Sequence, residues 1–260
     1  MKTFLTIAGS DPSGGAGIQA DIKTASAFGL YAMSAITAVT VQNTQGVKSV
    51  YNLDANLVYD QISAVADDIF PDCVKIGMCA DEFVTEAVAE AFKKYRFKNT
   101  VLDTIILSSS GHELLSTKGI EIMKEKLFPQ VDIITPNIPE AELLTGIKID
   151  NEIDMVNAAK SLNDKYGCSV ILKGGHLNGN DLFFNGKPEF FCHSIIDNHN
   201  THGTGCTLSS AAASLLAQGK SESEASRGAS EYVYGAIEYG LDLGKGNGPL
   251  YHFYTYKNKI

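Results

Sequence analysis

Short β-type segments alternate with helical ones along nearly the whole chain, and this alternation limits the fold more than any other feature. Residues 4–8 form an apolar run that reads as a buried strand. Residues 16–28 carry Ile18, Ile22 and Ala25 at helical spacing, with Gly29 as a stop signal. Further strands are expected at 34–41, 72–76, 100–107, 131–135 and 169–173. Helices are expected between them at 54–68, 82–95, 118–127, 139–144 and 152–166. Residues 181–184 and 189–193 flank Asn185-Gly186, a type I′ hairpin signal. Two helices close the chain, the last opened by Ser221 with Glu224 three residues on, a capping box. Strand–helix alternation builds βαβ units and a mostly parallel sheet covered on both faces. The expected architecture is three-layer α/β/α, one domain over 1–260, with a small antiparallel hairpin at an edge.

In such sheets ligands sit beyond the carboxyl ends of the strands. Several polar clusters fall there: Gly9-Ser10-Asp11, Gln42-Asn43, Gly77-Met78, Asp103, Asn137 with Glu140, and Lys173-Gly174-Gly175-His176. A further stretch, Thr201-His202-Gly203-Thr204-Gly205-Cys206, runs into a small-residue helix. A helix N-terminus offers unpaired N–H groups and the positive end of the macrodipole, so Gly203, Thr204, Gly205 and Cys206 suit an anion. The same position is expected to lower the Cys206 thiol pKa. A glycine loop that only lets a strand meet a helix closely would look the same.

Other readings are weaker. Gly15-Ala16-Gly17-Ile18-Gln19-Ala20 matches a dinucleotide fingerprint, but the next strand ends in Val41-Gln42-Asn43 without the acid that ribose binding needs. Neither glycine loop carries the Lys-Ser or Lys-Thr of a Walker A motif. His199, His202 and Cys206 have zinc-like spacing, but lie in a loop and a helix start without a supporting carboxylate. Asp103 and Glu140 are acids at neighbouring strand ends, able to hold a hydrated Mg²⁺ or to cap local backbone. Gln42 offers a donor and an acceptor to the edge of a heteroaromatic ring, and Met78 can pack on its face.

The net charge of −9 argues against a nucleic-acid surface and against attraction to anionic lipid. Five scattered cysteines without a CxxC pair suggest free thiols, hence a reducing, cytoplasmic setting. Residues 1–8 are too short for a signal segment, and no membrane-spanning apolar run occurs.

Taken in order, these motifs resemble the hydroxymethylpyrimidine and phosphomethylpyrimidine kinases of thiamine synthesis. The resemblance rests on residues 8–21, 40–46, Lys75-Ile76-Gly77-Met78, Thr135-Pro136-Asn137 with Glu140-Ala141-Glu142, Lys173-Gly174-Gly175-His176 and residues 201–210. It implies a ribokinase-like fold, ATP with Mg²⁺, and a homodimer. It further implies that Gln42 reads an aminopyrimidine ring with Gly9, Asp11 and Met78 around it. Cys206 then stands where sugar kinases of the superfamily carry an Asp base, with Gly203, Thr204 and Gly205 as the anion hole. Asp103 and Glu140 would order Mg²⁺, and Lys173, Gly244 and Gly246 would lie near the nucleotide. Three positions depart from the pattern: Ser109 replaces a common lysine, His112 an acid, and Ser230 a second lysine. The segment 177–186 is also shorter than usual. Two lost cations weaken the expectation for the second phosphorylation more than for the first. A pyridoxal-type kinase and a non-catalytic nucleotide- or vitamin-binding protein are the alternatives.

Overall fold

The computed structural model describes residues 1–106, 114–175, 177, 179–194 and 196–256. The expected strand end at Leu107, the departures at Ser109 and His112, and His176 lie outside them. A nine-stranded sheet runs in the order β3-β2-β1-β4-β5-β6-β7-β8-β9. The strands are β1 (Thr3–Ser10), β2 (Tyr31–Asn43), β3 (Gly46–Asn52), β4 (Cys73–Ile76), β5 (Thr100–Leu102), β6 (Ile133–Ile134), β7 (Ser169–Leu172), β8 (Asp181–Phe184) and β9 (Pro188–Phe191). The stretch from β2 through β1 to β7 is parallel, and both edges are antiparallel.

Successive strand residues point to opposite faces, and the core divides accordingly. Leu5, Val74, Leu102, Ile134 and Val170 pack under α2 (Ala55–Asp68), α3 (Glu82–Tyr95), α5 (Ile138–Thr145) and α6 (Glu152–Tyr166). Phe4, Cys73, Val101, Ile133 and Ile171 face the other layer, built from α1 (Gly17–Ala27), α7 (Thr204–Ala217) and α8 (Glu222–Glu238). The expected three layers are present. The helix ends follow their caps: Asp54 caps α2, Asp81 caps α3, and Asn137 and Ser221 form capping boxes with Glu140 and Glu224.

Four local expectations are corrected. The sequence reading contained no β3, yet 46–52 pairs with β2 as an edge hairpin. Its solvent-facing pattern lacks a buried stripe, so periodicity alone does not mark it. The strand expected over 100–107 stops at Leu102, because Ile105 N–H turns back to the Asp103 carbonyl. The helix over 118–127 is α4 (Thr117–Ile122) followed by a π-helical turn, Met123–Leu127. The Asn185-Gly186 turn has three residues, since Phe184 pairs with Pro188; Gly186 takes the left-handed position at φ +73°.

Candidate active site

Helix α7 begins at the carboxyl edge of the sheet. Its N-cap, Gly203, has φ +88°, and a Cβ there would lie 1.9 Å from the Gly15 carbonyl oxygen. Gly17 is similarly constrained, at φ +56° with a would-be Cβ 2.3 Å from the Gly9 oxygen. The dinucleotide-like glycines are thus spent on close backbone packing: Gly15 against the start of α7, and Gly17 against the end of β1. The N–H groups of Gly205 and Cys206 have no backbone acceptor among the described residues. They stand open to an anion.

These amides face charge. A Cβ on Gly205 would sit 3.3 Å from both Asp103 Oδ2 and Lys173 Nζ. Asp103 follows β5 and is 2% exposed; its Oδ1 accepts from Lys173 Nζ at 2.9 Å and Thr135 Oγ1 at 3.0 Å. Its Oδ2 accepts no hydrogen bond among the described residues. Burial opposes the Lys173 charge, but Asp103 and Glu140 outweigh it and hold the ammonium above its ordinary pKa. Glu140 is raised above the usual carboxylate range by burial, against the pull of Lys173. Its Oε2 takes Asn137 N–H at 2.9 Å and Thr104 Oγ1 at 3.1 Å.

Cys206 occupies the third position of α7. The lowered thiol pKa expected of a helix start is corrected here: burial pushes the thiol up to about 11 from 9.0, aided by Asp21 and Asp103 and opposed by Lys75. The Gly17 amide also works against the rise. Beneath the thiol lies a fully buried ion pair, Lys75 Nζ 2.9 Å from both Asp21 oxygens. Thr6 Oγ1 and Ser210 Oγ also donate to Asp21. Ser210 is one helical turn beyond Cys206, so the pair lies below the Cys206 face of α7.

Across the crevice, the Asp11 carboxylate collects donors from its own loop. Oδ1 takes Ser13 N–H and Oγ; Oδ2 takes Gly15 N–H, Ala16 N–H and, at 2.9 Å, His202 Nε2. Burial works against this carboxylate, yet the hydrogen bonds of His202 and Ser13 and of the Ala16 amide bring its pKa down to about 2. Gln42, near the end of β2, has its amide against His202 and Thr40. Met78 is buried against Gly9, where a Cβ would meet its methyl at 2.9 Å.

One cavity of about 350 Å³ is lined by nearly every expected site residue: Gly9, Asp11, Gln42, Met78, Asp103, Glu140, Lys173 and Gly203, Thr204, Gly205 and Cys206. Gly244 and Gly246 do not line it. They press on the β2–β3 turn, where a Cβ on Gly246 would lie 2.0 Å from the Thr44 oxygen, and Lys245 and Gly246 donate N–H to Thr44 Oγ1. Asn247, from the same loop, does reach the cavity. Ser230 sits outside it, donating to Asp181 Oδ2 at 2.8 Å beside His193. Burial leaves the Asp181 carboxyl raised, against the hydrogen bonds of Ser230 and the Gly174 amide and the charges of His193 and Lys173. Sequence reasoning missed His202 as a site residue, weighing it only as a metal ligand. Its partner Asp11 is 191 residues away in sequence, and no local pattern announces such a pair.

Residues 11–251 match the family model described as phosphomethylpyrimidine kinase. The hydroxymethylpyrimidine/phosphomethylpyrimidine kinase of Salmonella typhimurium is 44% identical over 260 residues, covering 97% of each chain. A crystal structure of phosphomethylpyrimidine kinase from Clostridium difficile superposes with a TM-score of 0.80 at 43% identity, over 90% of this chain and 98% of that one. An ADP complex of Bacillus subtilis pyridoxal kinase superposes at 0.91 with 33% identity, over 99% and 100%.

Proposed function

The chain belongs to the phosphomethylpyrimidine kinase family, and on that footing we propose that its cavity transfers the γ-phosphoryl of ATP to a hydroxymethyl-substituted aminopyrimidine. The protein phosphorylates 4-amino-5-hydroxymethyl-2-methylpyrimidine and then the monophosphate so formed, as a step of thiamine biosynthesis. The carrying observation is that open helix-start amides, a buried Asp103–Lys173 pair and the ring-edge amide of Gln42 share one cavity of about 350 Å³. That volume suits a small substituted ring with its phosphate. The 1–260 chain acts as a single kinase domain.

In this reading Gln42 and Met78 hold the ring, and Gly9 leaves room for it. The substrate hydroxyl is presented to the γ-phosphorus beside Cys206. The N–H groups of Gly205 and Cys206 take up charge developing on the transferred group. Lys173 adds a cation to the same region. Phosphoryl transfer passes through a loose transition state, so placement and charge neutralisation outweigh early deprotonation. Cys206, held as a neutral thiol, therefore orients the hydroxyl rather than acting as a strong base.

Asp103 and Glu140 fit a hydrated Mg²⁺. Two buried carboxylates face one lysine, and Asp103 Oδ2 is left without a hydrogen bond among the described residues. Mg²⁺ is bound through few carboxylates and keeps several waters, so Glu140, engaged in its capping box, would act through water. When bound, the ion supplies charge neutralisation on the phosphates.

Two further expectations belong to this reading. A homodimer through the outer face of the β2–β3 hairpin is supported by Val39, Val41 and Tyr51, exposed at 44%, 45% and 64%. Cytoplasmic residence is supported by unpaired cysteines, four of them buried; no described helix is long and apolar enough to cross a membrane.

The test supplies purified protein with ATP, Mg²⁺ and either hydroxymethylpyrimidine, its monophosphate or pyridoxal, following ADP release and product mass. Diphosphate formation from the first two is expected. ADP release with pyridoxal alone, or with none, overturns the assignment. Product stopping at the monophosphate removes the second step.

A further inference from the structure

His202 touches two polar side chains through one nitrogen. Its Nε2 lies 2.9 Å from Asp11 Oδ2 and 3.2 Å from Gln42 Nε2. Gln42 Oε1 lies 3.3 Å from Thr40 Oγ1, whose one proton has a nearer acceptor in the Ser10 carbonyl at 3.0 Å. The protonation pattern follows from the acceptors. A carboxylate only accepts, and Asp11 already receives the Gly15 and Ala16 amides on the same oxygen. His202 must therefore carry its proton on Nε2 and donate it. Thr40 Oγ1, having spent its proton, can only accept from Gln42.

Both neighbours thus dictate which way the Gln42 amide lies. Its oxygen faces the His202 N–H, which it shares with the nearer Asp11 Oδ2, and its nitrogen faces Thr40 Oγ1; the reverse sets two N–H groups against each other and leaves two acceptors in contact. The structure has the amide the other way round, Nε2 toward His202 and Oε1 toward Thr40; hydrogen-bond networks, not shape, tell amide oxygen from nitrogen, so the pairing above exchanges its two ends. One lone pair on Oε1 and one N–H on Nε2 remain for a ligand in the cavity.

We propose that the Asp11–His202 pair, with Thr40, locks the Gln42 amide in a single orientation and so makes His202 a positioning residue that sets substrate specificity. The inference rests on the aminopyrimidine reading of the site. A locked amide accepts from the exocyclic amino group on the His202 side and donates to the adjacent ring nitrogen on the Thr40 side. The 4-oxo analogue, with the amino group replaced by a carbonyl, presents the opposite pattern: a carbonyl acceptor and a ring N–H donor. Its hydroxymethyl group must still point at the phosphoryl donor, so the ring cannot turn over to compensate. Only a rotated amide would accommodate it, and His202 forbids that rotation. Buried polar groups left mispaired are what give hydrogen-bonding sites their large discrimination.

The experiment measures kcat/KM for 4-amino- and 4-oxo-5-hydroxymethyl-2-methylpyrimidine in the wild type, His202→Leu and Thr40→Val. The wild type is expected to favour the amino compound by about 10²-fold or more. His202→Leu frees the amide and should narrow the ratio to under about tenfold, with KM rising for the amino compound and falling for the oxo compound. A residue that merely held the loop together would depress both substrates alike and leave the ratio unchanged, which overturns the proposal. Should His202→Leu fail to fold, Thr40→Val decides, because it keeps the side-chain shape. The ratio should narrow several-fold there, and an unchanged ratio overturns the lock. A wild type that turns over the two compounds equally also overturns it. A wild type that phosphorylates neither overturns the pyrimidine reading itself, and this inference with it.

Discussion

Cys206 illustrates how a position can suit two opposite chemistries. A helix start favours a thiolate, but the macrodipole acts over one turn and weakly, on the order of 1 kcal/mol. Enclosure by α1 and β1 and the nearby acids Asp21 and Asp103 act on the same sulfur and win, leaving a thiol at neutral pH. Cys206→Ala should lower kcat by about 10²-fold, whereas Cys206→Ser, which keeps a hydroxyl for orientation, should stay within about tenfold. The two proteins bearing Cys and Ser should also show parallel kcat profiles between about pH 6 and 9. A rising limb seen only with Cys would mean a thiolate base, contrary to the burial of the group.

At the scale of elements, the cavity exists because several loops close on one another. The starts of α1 and α7 meet through Gly15 and Gly203, Gly17 packs against the end of β1, and the β2–β3 turn is latched by Thr44 to the 244–248 loop. Thr44→Val removes the acceptor of two N–H bonds at the rim. It should raise KM several-fold with kcat changed less than about threefold, and speed amide exchange over 43–46. Gly203→Ala is a harsher change: it places a Cβ 1.9 Å from a carbonyl oxygen at a positive φ. Loss of both activity and several degrees of Tm is expected, read by thermal unfolding alongside the assay.

For the molecule as a whole, two buried ionisable features shape stability. The Lys75–Asp21 pair is 0% exposed on both sides. Lys75→Met leaves Asp21 unpaired and should cost about 3–5 kcal/mol in denaturant unfolding, with Lys75→Met/Asp21→Asn recovering most of it. His252 is pushed down to about 4 from 6.5, chiefly by burial and secondarily by Lys23, beside Thr207. Between those values the unfolded chain binds a proton that the native chain refuses. Stability contributed by neutral His252 is therefore complete above pH 6.5 and drains away as pH falls toward 4. The loss reaches about 3 kcal/mol. His252→Gln should flatten that part of the Tm-versus-pH curve relative to the wild type. The proposed dimer is tested by sedimentation, with Val41→Lys expected to yield monomer.

The sequence by itself determined the layered fold and pointed to most of the residues that line the cavity. Strand–helix alternation requires a covered parallel sheet, parallel strands require their carboxyl ends to gather, and the strand-end residues Gln42, Asp103, Glu140 and Lys173 followed from that geometry alone. Local patterns such as caps and glycine bends were legible because their partners lie a few residues away. The tertiary structure decided whatever depends on distant neighbours. It raised the Cys206 thiol pKa where the helix start alone suggests a lowered one, since burial is a property of what packs around the sulfur. It joined Asp11 to His202 and Thr44 to the 244–248 loop, contacts between segments about two hundred residues apart. It paired 46–52 as an edge strand, because only the facing β2 gives that exposed segment its partner.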